Sequence, residues 1–500
     1  MAPGLRRLLV TLLALLCLFT IGAGAVVTRL LPRRLAEWDI PRVAARPAAT
    51  PGQVLSPAVG LAGDGGSSQS RSSRPSGSAR GSSQAAGATA AGLARVLQPI
   101  LGAASLGPHV GIEVADLATG QVLYGRNSGV AFTPASTTKL ATAIAALQVL
   151  GPDARFTTRV VAGPGRSSIV LIGGGDPTLA AGRPPATDYP QPATLLSLAA
   201  ATARQLRADG RRSVRLSYDT SLFTGPQFAP GWSANYVTTG NVTPISALEV
   251  DQGRLTASGA PQDADDPDNY RPRTFQPAAE AAAAFARFLR ADGITVLGTP
   301  AVGSAPRHAA SIASVSSPPL AEIVQWMLTE SNNVIAENLA RHVAIATGHP
   351  ASFSGAAAAE ELTLRRLGVR SGVSLVDGSG LSPDDRITPA ALIKLIGLAA
   401  APAHPGLRAA ITGLPVAGFS GTLSAGQSVF PVAGPPGLGV VRAKTGNLAT
   451  VAALAGIAYA RNGELLSFVV MADQVRASNL VPAATKMVGL ATALAGCGCH

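Results

Sequence analysis

Ser136-Thr137-Thr138-Lys139 sets a hydroxyl and an amine three residues apart, and Lys444-Thr445-Gly446 supplies a second lysine far downstream. Only four of the chain's forty basic residues are lysines, and these two motifs hold two of the four. Arg stays protonated in proteins, whereas a Lys held among apolar or cationic neighbours can lose its proton and serve as a base. A Ser with such an amine beside it is equipped for nucleophilic acyl transfer. Between the two motifs lies Ser331-Asn332-Asn333. Ser331 can relay a proton between nucleophile and leaving group, and the Asn333 amide can hold a substrate backbone. Each motif alone is a weak signal; three in this order, each in a suitable local context, are a specific one.

The flanking sequence predicts how these groups are positioned. Thr133-Pro134-Ala135 gives an extended or turn approach, and Leu140, Ile144, Leu147 and Leu150 mark an apolar face that ends at Gly151-Pro152. A helix therefore begins at Ser136. There the hydroxyl meets free backbone N–H groups and the positive end of the helix dipole, which favour developing negative charge. Lys139, three residues on, lies on the same face and within reach. Ser331 falls between two apolar-periodic runs, Leu320 to Leu328 and Val334 to Ile345, and so belongs to a loop between helices. Gly439 to Ala443 reads as a strand leading into Lys444, and Arg461-Asn462-Gly463 joins two further strands as a hairpin. A Lys-Thr-Gly on a strand edge can lay backbone along an extended substrate while its Lys and Thr side chains meet a carboxylate. Gly446 is expected to leave that approach unblocked.

Five hundred residues imply more than one domain with sizeable cores. The first hundred differ from the rest: eleven arginines against three acidic residues carry +8 of the chain's +12. Leu8 to Val27 is almost uninterruptedly apolar and follows Arg6-Arg7, so residues 1–30 read as a signal peptide or signal anchor. The run is just long enough to span a bilayer core, which needs about 20 residues. Ala23-Gly24-Ala25 resembles a cleavage site. Cys17 follows Leu16, where a lipoprotein signal would carry a small residue, and reads as a plain apolar-helix Cys. Residues 31–92, dominated by Pro, Ser, Gly, Ala and Arg, are expected to be a disordered spacer. An export signal puts this basic tract beyond the membrane, beside anionic lipid or wall polymer, and argues against a nucleic-acid role. No cofactor or metal is expected: there is no zinc spacing, and Gly173-Gly174-Gly175-Asp176 lacks the Lys of a phosphate loop and reads as a tight turn. The tail Cys497-Gly498-Cys499-His500 reads as a frayed end rather than a metal or redox site.

Ser136 and Ser331 stand 195 residues apart, more than two walls of one pocket need. Residues 153–307 are therefore expected to form an inserted domain, with a catalytic domain over 93–152 and 308–495. The insertion shows β-like runs at Thr157 to Val161, Ser168 to Ile172 and Ser213 to Ser217, a helix at Pro277 to Leu289, and a loop at Asp263 to Pro272.

The chain resembles the low-molecular-mass class C penicillin-binding proteins, the S13 peptidases, of actinobacterial type; the resemblance rests on Pro134 to Lys139, Glu330 to Asn333 followed by Ala336-Glu337, Asp377 to Ser382 and Lys444 to Gly446. It covers roughly Leu93 to Leu494 and extends into the insertion at Gly174 to Leu179 and Asp219 to Phe223. It implies an α+β fold: a transpeptidase-like catalytic domain, an antiparallel sheet flanked by helices, with a largely β domain inserted between the first and second motifs. It also implies a serine D,D-peptidase cleaving D-Ala-D-Ala in peptidoglycan stem peptides, and D-Ala-diaminopimelate cross-links, with β-lactams as covalent inhibitors. By position Ser136 would be the nucleophile, Lys139 the base and Ser331 the relay. Asn333, Lys444, Thr445, Gly446 and Asn447 would bind substrate, the Ser136 and Asn447 amides forming an oxyanion hole.

Two positions depart from the pattern. Asn447 stands where relatives carry Thr or Ser, and Pro383 where many carry an Arg near the stem-peptide side chain; Arg386, with Asp219, is the candidate substitute. A serine β-lactamase shares the chemistry, but the long insertion and the lack of a Glu-x-x-x-Asn deacylation motif count against it. A catalytically weak penicillin-binding scaffold is the other alternative.

Overall fold

The computed structural model describes residues 88–499 except 187, 256–270, 426–428 and 432. The predicted signal segment, and the spacer up to residue 87, lie outside the described residues. The first helix, α1 (Ala90–Leu101), begins inside the stretch assigned to the spacer, because the Thr89 side chain caps it by accepting from Gly92 N at 3.1 Å.

Along the chain follow β1 (Val110–Asp116), β2 (Val122–Arg126), α2 (Lys139–Leu150), β3 (Thr157–Ala162), β4 (Ser168–Ile172), α3 (Leu195–Ala208), β5 (Ser213–Asp219), α4 (Pro277–Ala291), β6 (Thr295–Val296), β7 (Ala301–Val302) and β8 (Ser311–Ser316). Then come α5 (Leu320–Thr329), α6 (Asn333–Ala346), α7 (Phe353–Arg366), β9 (Val373–Ser374), β10 (Arg386–Ile387), α8 (Pro389–Ala400), α9 (Ala409–Thr412), β11 (Val441–Leu448), β12 (Val451–Tyr459), β13 (Leu465–Ala472) and α10 (Leu480–Gly496).

A five-stranded antiparallel sheet in the order β11-β12-β13-β1-β2 forms the centre. Its strands alternate between two buried faces, as a period of two requires. Ile112, Val114, Leu454, Phe468 and Val470 pack with α1 and α10, while Ala453, Ala455, Val469 and Met471 pack with α2, α5, α6 and α8. Because its neighbours surround it, α2 is buried nearly all round, from Lys139 to Leu147.

The second sheet runs β6-β5-β4-β3-β8, with β7 also beside β5. Strand β3 is antiparallel to β4 and β8, whereas β4, β6 and β7 are parallel to β5. A parallel neighbour needs a crossover. Helix α3 supplies it between β4 and β5, and packs Leu195, Leu198 and Leu206 with Phe285 and Leu289 of α4 against the sheet. The sequence reading contains α4 but not α3. Chain leaves the first sheet's helical layer after α2 and returns to it at α5.

The tail is not frayed. Cys497 and Cys499 form a disulfide and are buried in the core beneath α1, and Thr89 N donates to Cys499 O at 2.7 Å. Gly92 admits this contact, since a Cβ there would collide with the Cys499 carbonyl.

Candidate active site

Ser136 sits in a short 3-10 turn, Ala135–Thr138, that runs directly into α2. Ala135 enters the turn at φ 47°, a left-handed conformation that costs a residue bearing a Cβ. Gly380 packs onto the Ala135 carbonyl so closely that a side chain there would collide with it. Ser136 itself remains half-buried.

Lys139 is fully buried, and its Nζ has three oxygen neighbours: Ser136 Oγ at 2.9 Å, Asn333 Oδ1 at 2.6 Å and Ser379 O at 2.7 Å. The Ser379 carbonyl can only accept. Asn333 is oriented to accept as well, because its Nδ2 donates to Asn241 O at 2.8 Å. A neutral amine has two N–H bonds and one lone pair. With both N–H bonds taken by the two carbonyl oxygens, the lone pair faces the Ser136 hydroxyl. Burial pushes Lys139 down to about 7, against the charges of Asp377, Glu337 and Asp385, which favour the ammonium. The amine is thus poised to take a proton near neutral pH.

Ser331 occupies the break between α5 and α6 with φ 57°, a second left-handed residue at the site. Its hydroxyl hydrogen-bonds none of the described residues. Asn332 fixes the break: its Oδ1 caps α6 by accepting from Ile335 N at 3.0 Å, and its Nδ2 donates to Gln252 Oε1.

Lys444, Thr445 and Gly446 lie within β11, which starts at Val441 rather than Gly439. Strand β11 is at the edge of its sheet. Among the described residues its outer side is hydrogen-bonded only at the start, where Ala443 N donates to Pro415 O and Ala417 N to Val441 O, both at 3.0 Å. Residues 441 and 443 therefore point their main-chain groups outward, and by alternation Thr445 and Asn447 do so too. Lys444 is fully buried and donates to Thr445 O at 2.9 Å. Burial first, then the neighbouring Lys139, holds it well below the ordinary lysine range, while Glu330 opposes. The Thr445 hydroxyl donates to Thr422 Oγ1 at 2.7 Å, and Asn447 is exposed.

The fold gives Gly446 a further reason. A Cβ there would stand 2.7 Å from Pro134 O and 3.3 Å from Thr137 Cγ2, so the glycine lets β11 close onto the nucleophile's turn. Gly446→Ala is expected to separate strand and turn, cutting acylation at least tenfold while the protein stays folded; stopped-flow labelling with a fluorescent penicillin measures this.

Asp219 ends β5, where its two carboxylate oxygens accept from Ser221 N at 2.8 Å and Ala305 N at 2.7 Å. Burial would raise its carboxyl, but these hydrogen bonds outweigh that and hold it below its ordinary value. Arg386 is exposed and donates to Thr133 Oγ1 at 2.9 Å and to Pro383 O at 2.6 Å. No hydrogen bond joins either residue to Ser136, Lys139 or Lys444. The contributions of Ser379 and Asn241 are absent from the sequence reading, since both act through main-chain carbonyls, which any residue type provides. Among the described residues no group of three or more His, Cys, Asp or Glu side chains is arranged to hold a metal ion.

A model of the D-Ala-D-Ala carboxypeptidase 3 (S13) family matches residues 93–272 and 259–494. The chain belongs to this family. Among S13 relatives, the carboxypeptidase DacB of Mycolicibacterium smegmatis is 38% identical over 81% of this chain and 85% of its own length. A carboxypeptidase of Mycobacterium tuberculosis is 37% identical over 82% of this chain and 85% of its own. The D-alanyl-D-alanine carboxypeptidase of an Actinomadura species is 31% identical over 71% and 76%. The fold matches the crystal structure of penicillin binding protein 4 from Haemophilus influenzae, with a TM-score of 0.62 and 23% identity, covering 80% of this chain and 98% of that one. Like its S13 relatives, the chain is a serine-type D-Ala-D-Ala carboxypeptidase, with an α+β penicillin-binding fold and an extracytoplasmic place of action.

Proposed function

We propose that Ser136 attacks the carbonyl carbon of the penultimate D-Ala in a peptidoglycan stem peptide while Lys139 takes its proton. The observation that carries this is the Lys139 amine, buried and fixed by two carbonyl acceptors with its third contact on Ser136 Oγ at 2.9 Å. The tetrahedral oxyanion is held by the Ser136 and Asn447 amides: Ser136 lies in the first turn, where amides lack intrahelical acceptors, and Asn447 faces the open edge of β11. Collapse expels D-Ala, whose nitrogen receives a proton through Ser331, and water then resolves the acyl-enzyme. Lys444 and Thr445 bind the terminal carboxylate. That anion adds to the counter-charge that buried Lys444 has from Glu330. The Thr445 hydroxyl turns from Thr422 to reach it.

β-Lactams acylate Ser136 by the same attack. Release of D-Ala from a synthetic pentapeptide, together with the mass of the penicillin adduct, tests the assignment. An adduct without D-Ala release would identify a penicillin-binding scaffold instead.

Residues 153–307 act as an inserted domain whose loops reach the site, as the Asn241 and Gln252 contacts support. Asp219 and Arg386 are the candidates for the stem-peptide side chain, each exchanging a present contact for substrate. Because Asn447 lacks a Thr or Ser hydroxyl, the grip on a terminal carboxylate is weaker, and internal cross-links, which have none there, are cleaved in preference. Asn447→Thr is then expected to raise carboxypeptidase over endopeptidase efficiency by about tenfold to a hundredfold, the equivalent of roughly 1.5–3 kcal/mol for one hydrogen bond to a charged group. An unchanged ratio on purified muropeptides contradicts it.

The apolar stretch from Leu8 to Val27 anchors the enzyme to the membrane. A retained anchor survives a high-salt wash of membranes, because apolar insertion is indifferent to screening. Release by salt would show that only the basic spacer holds the protein there.

A further inference from the structure

Three buried carboxyl groups, Asp377, Glu337 and Asp385, act on the catalytic amine, and a fourth, Glu360, lies beside Glu337. A fold needs no such cluster, since buried charges are costly and apolar residues of similar size often serve stability better. Glu337 is the member best placed to act. It stands one helical turn after Asn333 on the same face of α6. Asn333 touches Lys139 Nζ directly, whereas Glu337 holds the other acceptor from behind: its Oε1 accepts from Ser379 N at 2.8 Å and its Oε2 from Gly378 N at 3.2 Å. Gly378 allows this nesting, because a Cβ there would stand 2.8 Å from Ala340 Cβ on α6.

We propose that Glu337 is a positioning residue for Lys139: it clamps the Ser379 backbone, whose carbonyl accepts from Nζ, and its buried carboxyl couples to that amine. This rests on Lys139 being the base for Ser136. Asp377 shares the clamp, accepting from Ser379 N, Gly380 N, Ser382 N and the Trp232 indole, but it also holds the whole loop and is the poorer site for a clean test.

The charged groups around the amine are Glu337 and Arg341 from α6, Glu360 from α7, Asp377 and Asp385 from the loop, and Lys444 from β11 with Glu330 behind it. Burial, then Asp377, raises the Glu337 carboxyl to about 8, against hydrogen bonds from Ser379 and Gly378 and the charge of Arg341. Glu337 and Lys139, at about 7, therefore exchange protons in one pH range, and each step is felt by the other. An ionised Glu337 favours the ammonium; removing its charge frees the amine at lower pH.

Glu337→Gln keeps the acceptor for Ser379 N and removes the charge. In the native protein ionisation of Glu337 holds back loss of the Lys139 proton and broadens the rise of the acylation rate with pH; in Glu337→Gln the rise is expected to narrow to a single step with a lower midpoint. Glu337→Met removes the acceptors as well, and its acylation rate is expected to fall at least tenfold at every pH. Superimposable pH profiles for the native protein and Glu337→Gln, with Ser136 still acylated, would overturn the proposal. Failure of the native protein to acylate at Ser136 would instead remove the reading on which it rests.

The unaltered protein offers a test that does not depend on a variant folding. With only four lysines, ¹³Cε-labelled lysine gives few signals, and Lys139, together with Lys444, is displaced when penicillin occupies Ser136. Its titration is expected in two steps, as for an amine coupled to a carboxyl. A single simple step overturns the coupling.

Discussion

Ser136→Ala is expected to abolish both D-Ala release and covalent penicillin labelling, a loss on the order of 10⁴-fold or more. The hydroxyl is the acyl acceptor, and the other hydroxyls of the motif cannot replace it: Thr137 Oγ1 donates to Pro134 O at 2.7 Å, and Thr138 is buried. Stability should change little. Ser136 is half-buried, and Lys139 Nζ keeps its bonds to Asn333 and Ser379. Intact-mass measurement after incubation with penicillin decides the matter; full labelling of the variant would mean that another nucleophile operates.

Lys139→Arg is expected to be nearly as damaging as Lys139→Ala, lowering acylation by about 10² to 10⁴-fold, the range for loss of a general base. A guanidinium preserves the positive charge but stays protonated, so it has no lone pair to offer Ser136. The same chemistry fixes the sign of the pH dependence. Burial lowers the Lys139 amine to about 7, so the reactive neutral form grows as pH rises through that value. Acylation of the native enzyme should climb across neutrality, about tenfold per unit on the acid side. Substantial activity in the Arg variant, or a flat profile from pH 5 to 8, would reduce Lys139 to a fixed charge.

The catalytic half of the molecule was open to sequence reasoning where a residue type or a period carried the signal. Ser136 to Leu150 announced its helix through apolar spacing and a Gly-Pro stop, and Asn462-Gly463 announced the hairpin between β12 and β13. The partners of Lys139 were only half visible. Asn333 acts through its side chain and could be named, but Ser379 and Asn241 act through carbonyls, and no pattern in one sequence says which carbonyl faces an amine. Helix α3 carries a readable stripe, with Leu195, Leu198 and Leu206 buried and Arg204 and Arg207 exposed, but the expectation of a largely β insertion passed over it, and the need for it comes from the parallel pairing of β4 with β5. Gly446 could be read as special, yet the neighbour it makes room for, Pro134, lies far away in sequence and is brought close only by the fold. The buried tail likewise depends on a contact with Thr89 across nearly the whole described chain.

The short cover over β11 sets a reading frame. The segment from Pro415 to Ala417 stops any guest chain from sliding past Ala443, and β11 itself ends at Leu448, so among the described residues the open main-chain groups are the Thr445 amide and those of Asn447. A guest held by two such rungs can dock in one register alone, since a shift by one residue would turn its side chains to the opposite walls. A substrate paired with β11 would then have its scissile bond placed by counting residues from that wall. Such a short free edge also gives a second copy of the protein too little strand to pair with, which spares an enzyme that must keep an edge open from using it to aggregate.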